Sequence, residues 1–135
     1  MNWLLDTDIC IYWLKGNQKI EQRAMQIGLD NLRVSFITIS ELYYGAFKSQ
    51  RIQENLALVE ILEERLTVIE SDSDICSNFG KLKAHLEKDG TIIDDADLFI
   101  AACALAMDSV LVTNNEEHFN RIKDLKAENW SKLES

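Results

Sequence analysis

Four short apolar runs, WLL (3–5), RVSFIT (33–38), TVIE (67–70) and SVLVT (109–113), are separated by stretches long enough to hold one or more helices. That alternation leaves few folds open. Hairpins join antiparallel strands through short turns, whereas parallel strands need crossovers of about a dozen residues or more, usually helical. The chain is therefore expected to form an α/β layer fold around a mainly parallel sheet of four strands. A brief edge strand near LKAEN (125–129) would make a fifth.

The connecting segments read as helices. Thr7 or Asp8 is placed to cap the apolar-rich ICIYWL (9–14), and Asn17 to cap a helix that runs to about Ile27 and stops at Gly28. SELYYGAFKS (40–49) and IQENLALVEILEERL (52–66) follow. From a Ser73 cap, Cys76, Phe79, Leu82, His85 and Leu86 recur at helical spacing until Gly90. ADLFIAACALAM (96–107) is almost wholly apolar, which marks a buried helix, and a short helix is expected at 116–121. No repeat or Gly/Ser-rich linker interrupts the chain and proline is absent, so residues 1–135 are expected to form one domain.

No apolar run reaches the roughly 20 residues of a membrane span, and the N-terminus lacks a basic signal region. A cytoplasmic location without membrane contact is expected. Cys10, Cys76 and Cys103 form no CxxC or Cys/His pair, which argues against disulfides and zinc and for buried free thiols. The net charge of −9 excludes nucleic-acid binding by bulk basicity. Its acidic excess lies mostly in residues 52–100, with twelve Asp/Glu against four Lys/Arg. Lys15, Lys19, Arg23, Arg33, Lys48 and Arg51 are left to form a local basic surface.

In an open parallel sheet the C-terminal strand ends share one edge, where ligands bind. Asp6 ends the first strand, Glu41 lies three residues beyond the expected second, and Asn114 and Asn115 follow the fourth. Asp94, Asp95 and Asp97 crowd the start of the buried helix that leads to the same edge. Carboxylates gathered so closely repel unless a cation compensates them. An all-oxygen donor set suits Mg2+ or Mn2+ and thus phosphoryl chemistry, with hydrolysis of a phosphodiester as the natural outcome.

With those residues in place, the chain resembles the PIN-domain ribonucleases, specifically the VapC-type toxins of type II toxin-antitoxin pairs. LLDTDICIYWL is similar to the family's opening strand and helix, with its first acid at Asp6. ITISELYYGAFKS is similar to the segment carrying the essential Glu, here Glu41. DADLFIAACAL supplies the third acid at Asp97, and LVTNNEEHFNRIKDLKAENW resembles the closing segment. The resemblance spans nearly the whole chain and implies a PIN-like three-layer α/β/α fold. It also implies a Mg2+- or Mn2+-dependent endoribonuclease that cuts structured RNA, a tRNA anticodon loop or a ribosomal RNA loop, to stop translation. A VapB-type antitoxin and a homodimer are the partners it implies. Asp6, Glu41 and Asp97 would be metal ligands and catalytic residues, joined in catalysis by Asn115. Members often carry Asp at the position of Asn115, which leaves one or two ions open, and Asp94 or Asp95 could supply the missing charge. Thr7 could orient Asp6, and Thr113 stands beside the site at the end of the fourth strand.

Each residue also has a plainer reading. Thr38 and Glu41 fit a capping box, Asp8 a first-turn acid, and Asp97 likewise. Tyr12, Trp13, Tyr43 and Tyr44 suit core, partner or base-stacking contacts. His85 reads as a core histidine, and His118 as a residue of the polar turn held by a structural hydrogen bond. Two other functions compete: a phosphatase of the haloacid dehalogenase type, because DTD follows a strand, and a non-catalytic PIN-fold binding module.

Overall fold

A computed structural model describes residues 1–132 of the chain. Its five strands are β1 (Trp3–Leu5), β2 (Leu32–Ser35), β3 (Thr67–Ile69), β4 (Val110–Val112) and β5 (Ala127–Glu128), all parallel, in the order β3-β2-β1-β4-β5. Seven helices connect them: α1 (Thr7–Leu14), α2 (Gln18–Ile27), α3 (Phe36–Phe47), α4 (Ile52–Arg65), α5 (Ser73–Lys88), α6 (Asp95–Ala106) and α7 (Glu116–Phe119). The expected α/β/α architecture with its parallel sheet is what forms, and the edge strand near LKAEN is part of it.

Alternation along the strands divides the core in two. Leu4 and Leu111 join the layer that also holds Ile75, Leu98 and Phe119, while Leu5 and Val112 join Ile9, Trp13, Ile39 and Leu62 on the opposite face. Leu5 and Leu111 are completely buried, because β1 and β4 lie inside the sheet and are covered by helices on both faces. That double cover fixes the strand ends from which the acidic side chains project.

Several boundaries differ from the sequence reading for local reasons. The run RVSFIT is strand only to Ser35, whose hydroxyl accepts the Thr38 amide at 3.1 Å and starts α3 at Phe36. A Ser cap here overrides the β preference of the apolar run. Glu41 consequently stands well inside α3 and has no part in a Thr38 capping box. The cap of α1 is Asp6 itself, through its Oδ1 to the Thr7 amide, rather than Thr7 or Asp8. Asp72, not Ser73, caps α5 by accepting the Ile75 amide. Asn17 does cap α2, accepting the Ile20 amide at 3.1 Å, and Gly28 follows at a φ of 95°.

Two side chains fall outside their expected places. His85 is exposed and pairs with Asp89 one turn along α5, because it lies at the outer margin of the apolar stripe that buries Leu86. Cys76 is exposed, whereas Cys10 and Cys103 are buried. Among the described residues no helix is long and apolar enough to cross a membrane.

Candidate active site

The strand order puts β1 between β2 and β4, so the C-terminal ends of all three open onto one edge. Asp6 sits there and is only 6% exposed. Its Oδ1 accepts the Thr7 amide at 2.8 Å and its Oδ2 accepts the Thr113 hydroxyl at 2.8 Å. Thr113, fully buried just past β4, accepts the Asn115 amide in turn at 3.0 Å. One hydroxyl therefore locks the Asp6 carboxylate and shapes the turn that carries Asn115.

Glu41 arrives from α3. Thr7 Oγ1 donates to Glu41 Oε1 at 2.6 Å and lies 3.0 Å from the Thr38 hydroxyl. The capping residue Ser35 continues this hydroxyl chain at 3.4 Å from Thr38. Glu41 is held through Oε1 while its backbone stays on the exposed side of α3.

Asp97 enters in the first turn of α6, half-buried, with its Oδ2 3.3 Å from His118 Nδ1. The same ring nitrogen lies 2.9 Å from the Asn115 side-chain nitrogen. His118 thus joins Asp97 to Asn115, a role that its neighbours in sequence do not reveal. The only signal was its place in the polar turn after β4.

Burial pushes the Asp6 carboxyl up to about 6, helped first by the Asp8 charge and then by Glu41, against the lowering hydrogen bonds of Thr113 and Thr7. Burial likewise lifts Asp97 to about 6, reinforced by Asp6, Asp94 and Glu41 and opposed by His118. Asp6, Asp97 and Glu41 therefore share one field. No Lys or Arg among the described residues pairs with any of the three.

The other acids are spent differently. Asp8 accepts the Ile9 amide at 2.7 Å and the Asn114 amide at 3.2 Å, tying α1 to the turn after β4. That leaves it poorly placed to be the second acid of a DxD phosphatase. Asp95 is drawn away by Lys83 Nζ at 3.0 Å. Asp94 is exposed and reaches the site only through its charge on Asp97. Asn114 is a structural hub, bonded to Tyr12, Asn129 and Ser131.

Several of the aromatics expected near the edge, and of the basic residues expected to form a local surface, are engaged by other groups. Trp13 is buried and donates to Glu21, and Tyr43 donates to Glu63 at 2.7 Å. Tyr44 is 66% exposed beneath Lys48, whose Nζ lies 4.6 Å from the ring centroid. Arg33 donates to the carbonyls of Asp30 and Leu32, and Arg51 pairs with Glu54. Lys15 lines an apolar groove of about 340 Å³ that begins at Glu41 and runs between α1, α3 and α4.

The family model for the PIN domain matches residues 3–125. Ribonuclease VapC1 of Haemophilus influenzae is 40% identical over 134 residues, covering 98% of this chain and 100% of that protein. The chain belongs to the PIN-domain VapC ribonucleases. A second relative, the tRNA(fMet)-specific endonuclease VapC of Shigella flexneri, is 32% identical over 97% of this chain and 99% of its own. The solved VapBC-1 structure from nontypeable Haemophilus influenzae superposes with a TM-score of 0.88 at 41% identity, covering 98% of this chain and 100% of that one. This VapC-family chain therefore has the family's full fold. These likenesses do not favour the phosphatase reading.

Proposed function

We propose that the chain is a Mg2+- or Mn2+-dependent endoribonuclease, the toxin of a toxin-antitoxin pair, with its chemistry at Asp6, Glu41 and Asp97. The observation that carries this is the pair Asp6 and Asp97 at one sheet edge, both raised to about 6 chiefly by burial, with the Asp6 charge adding to the rise at Asp97. Such a pair favours a cation over its own two charges.

The donor set fits a hard divalent ion: carboxylate oxygens, a neighbouring amide and no thiolate. Among the described residues no three Asp, Glu, His or Cys side chains are grouped closely enough to hold an ion by themselves. Mg2+ usually retains several waters, so Asp6 and Asp97 with water suit it, and Glu41 would contribute through water. When bound, the ion supplies a water of lowered pKa and neutralises charge on the scissile phosphate. The Thr7 bond engages Glu41 Oε1 and would leave Oε2 as the oxygen at which Glu41 accepts a proton. The Asn115 amide orients a neighbour without adding charge. Thr7 and Thr113 keep Glu41 and Asp6 from swinging away, and Asp94 adds negative field from outside.

Structured RNA is the substrate we assign, with a tRNA anticodon loop favoured over a ribosomal RNA loop. The tRNA(fMet) specificity in the Shigella relative's name supports a tRNA as the target. A VapB-type antitoxin is the partner, as the VapBC-1 assembly of the similar Haemophilus protein suggests, and a homodimer is the expected state. The site of action is the cytoplasm. Incubating purified protein with total RNA and Mg2+ or Mn2+, beside an Asp6→Asn variant, tests the assignment. Metal-dependent cuts by the parent alone are expected, and cleavage equal in the variant would overturn it.

A further inference from the structure

A second groove, of about 550 Å³, lies away from the carboxylates, with α5 as one wall and residues 121–124 as the other. Leu82, Leu86, Leu105 and Ile122 form its apolar floor. Lys81 and His85 rise from α5, and Arg121 and Lys123 face them across the floor. These four are exposed, and the lining contains one acid, Asp124. His85 is paired with Asp89, but Lys81, Arg121 and Lys123 pair with no carboxylate among the described residues.

This concentration runs against the composition. The chain has 23 acidic residues against 14 basic ones, yet three full positive charges meet around one groove. A polyanion approaching a molecule of net charge −9 is repelled unless a local positive surface receives it. One wall of the groove is nevertheless tied to the site through the chain. Arg121 lies three residues past His118, whose ring touches Asp97, so their Cα atoms are separated by at most about 11 Å. Phe119, completely buried between them, fixes that short segment to the core.

We infer that this groove holds the phosphodiester backbone of the RNA substrate beyond the cleaved bond, with Lys81, Arg121 and Lys123 as the phosphate contacts. The inference rests on the ribonuclease reading above and adds to it the surface that positions the RNA. Phosphate contacts set register and orientation without reading bases, so the groove contributes affinity and alignment, and sequence choice lies elsewhere.

The test measures binding of a bulk tRNA preparation to the full chain in an Asp6→Asn background, from about 50 to about 200 mM salt. Combining Lys81→Ala, Arg121→Ala and Lys123→Ala should weaken binding at low salt at least tenfold. It should also flatten the log–log salt dependence by about 2, since each single-strand phosphate contact contributes about 0.7. Lys81→Arg with Lys123→Arg should keep the slope, and a single Lys81→Glu should lower it. A thermal melt checks that each variant is folded. An unchanged slope in the triple variant overturns the inference, as does unchanged RNA binding with lost antitoxin binding, which would make the groove a protein-docking surface. Cleavage of total RNA by the parent, run in parallel, separates the two claims. If the parent cuts and the triple variant keeps its slope, only the groove assignment falls.

Discussion

Thr7 Oγ1 donates to Glu41 Oε1 at 2.6 Å, joining the first turn of α1 to the middle of α3 across 34 residues. The bond gives Glu41 a fixed aim although it stands on an exposed helical face. Thr7→Val keeps the shape and removes the donor. We expect kcat for RNA cleavage to fall about tenfold, equivalent to about 1.4 kcal/mol, with thermal stability changed by about 1 kcal/mol or less. Thr7→Ser should restore most of the rate, and a Thr7→Val enzyme as fast as the parent would contradict this role.

Thr113 is the buried counterpart on the other side of the site. In Thr113→Val the Asp6 Oδ2 loses its 2.8 Å donor and the Asn115 amide loses its acceptor. Leaving such groups unpaired costs about 1–3 kcal/mol, which urea denaturation would read directly. The Asp6 carboxyl should rise further, since the lost bond favoured its charged form.

The raised carboxyls make stability depend on pH in a definite direction. Asp6 and Asp97 hold protons up to about pH 6 when folded, against about 4 in an unfolded chain. The folded state binds more protons between these values, so the stability gained by the metal-free protein sets in as pH falls through about 6 and is complete near pH 4, leaving the protein already more stable at about pH 5.5 than at about 7.5. A shift of this size corresponds to about 3 kcal/mol for Asp6. Asp6→Asn should melt higher than the parent at pH 7.5 and lose much of the pH slope. Mn2+ competes with those protons and should raise Tm more at pH 7.5 than at 5.5. A parent Tm that falls steadily over this range would refute the sign.

His118 contacts both Asp97 and the Asn115 side chain, and we expect it to act by positioning them. Removing its ring in His118→Ala frees Asp97 Oδ2 and the Asn115 amide together. Mn2+ affinity, measured by titration calorimetry, should weaken about tenfold, and His118→Gln should recover part of it. Equal Mn2+ affinity in all three proteins would assign His118 a merely structural place.

Asn115→Asp puts a charge where the chain has a neutral amide. The added carboxylate sits beside His118 and near Asp97, so it should tighten Mn2+ binding several-fold and lower metal-free stability at pH 7.5. A rise in bound Mn2+ from one to two per chain would show that the parent's amide limits it to one. An Asn115→Asp protein with unchanged affinity would place this residue outside the metal's reach.

The sequence by itself determined the alternation of strands and helices, the parallel sheet, the buried α6 and the acids Asp6, Glu41 and Asp97 as members of one edge. These follow from apolar periodicity and from the rule that parallel strands end together, which neighbours within a few residues express. Caps were less legible, since Ser35 and Asp72 compete with adjacent polar residues and the winner depends on backbone direction. Only the tertiary structure decided the pairings that make the edge a site. Placing β1 between β2 and β4 brings Thr113 to Asp6 across 107 residues, packing α3 beside α1 brings Glu41 to Thr7, and α7 brings His118 to Asp97. The same packing turned Asp95 outward to Lys83 and gathered Lys81, Arg121 and Lys123 around one groove. Such contacts depend on strand order and helix docking, which local sequence patterns do not encode.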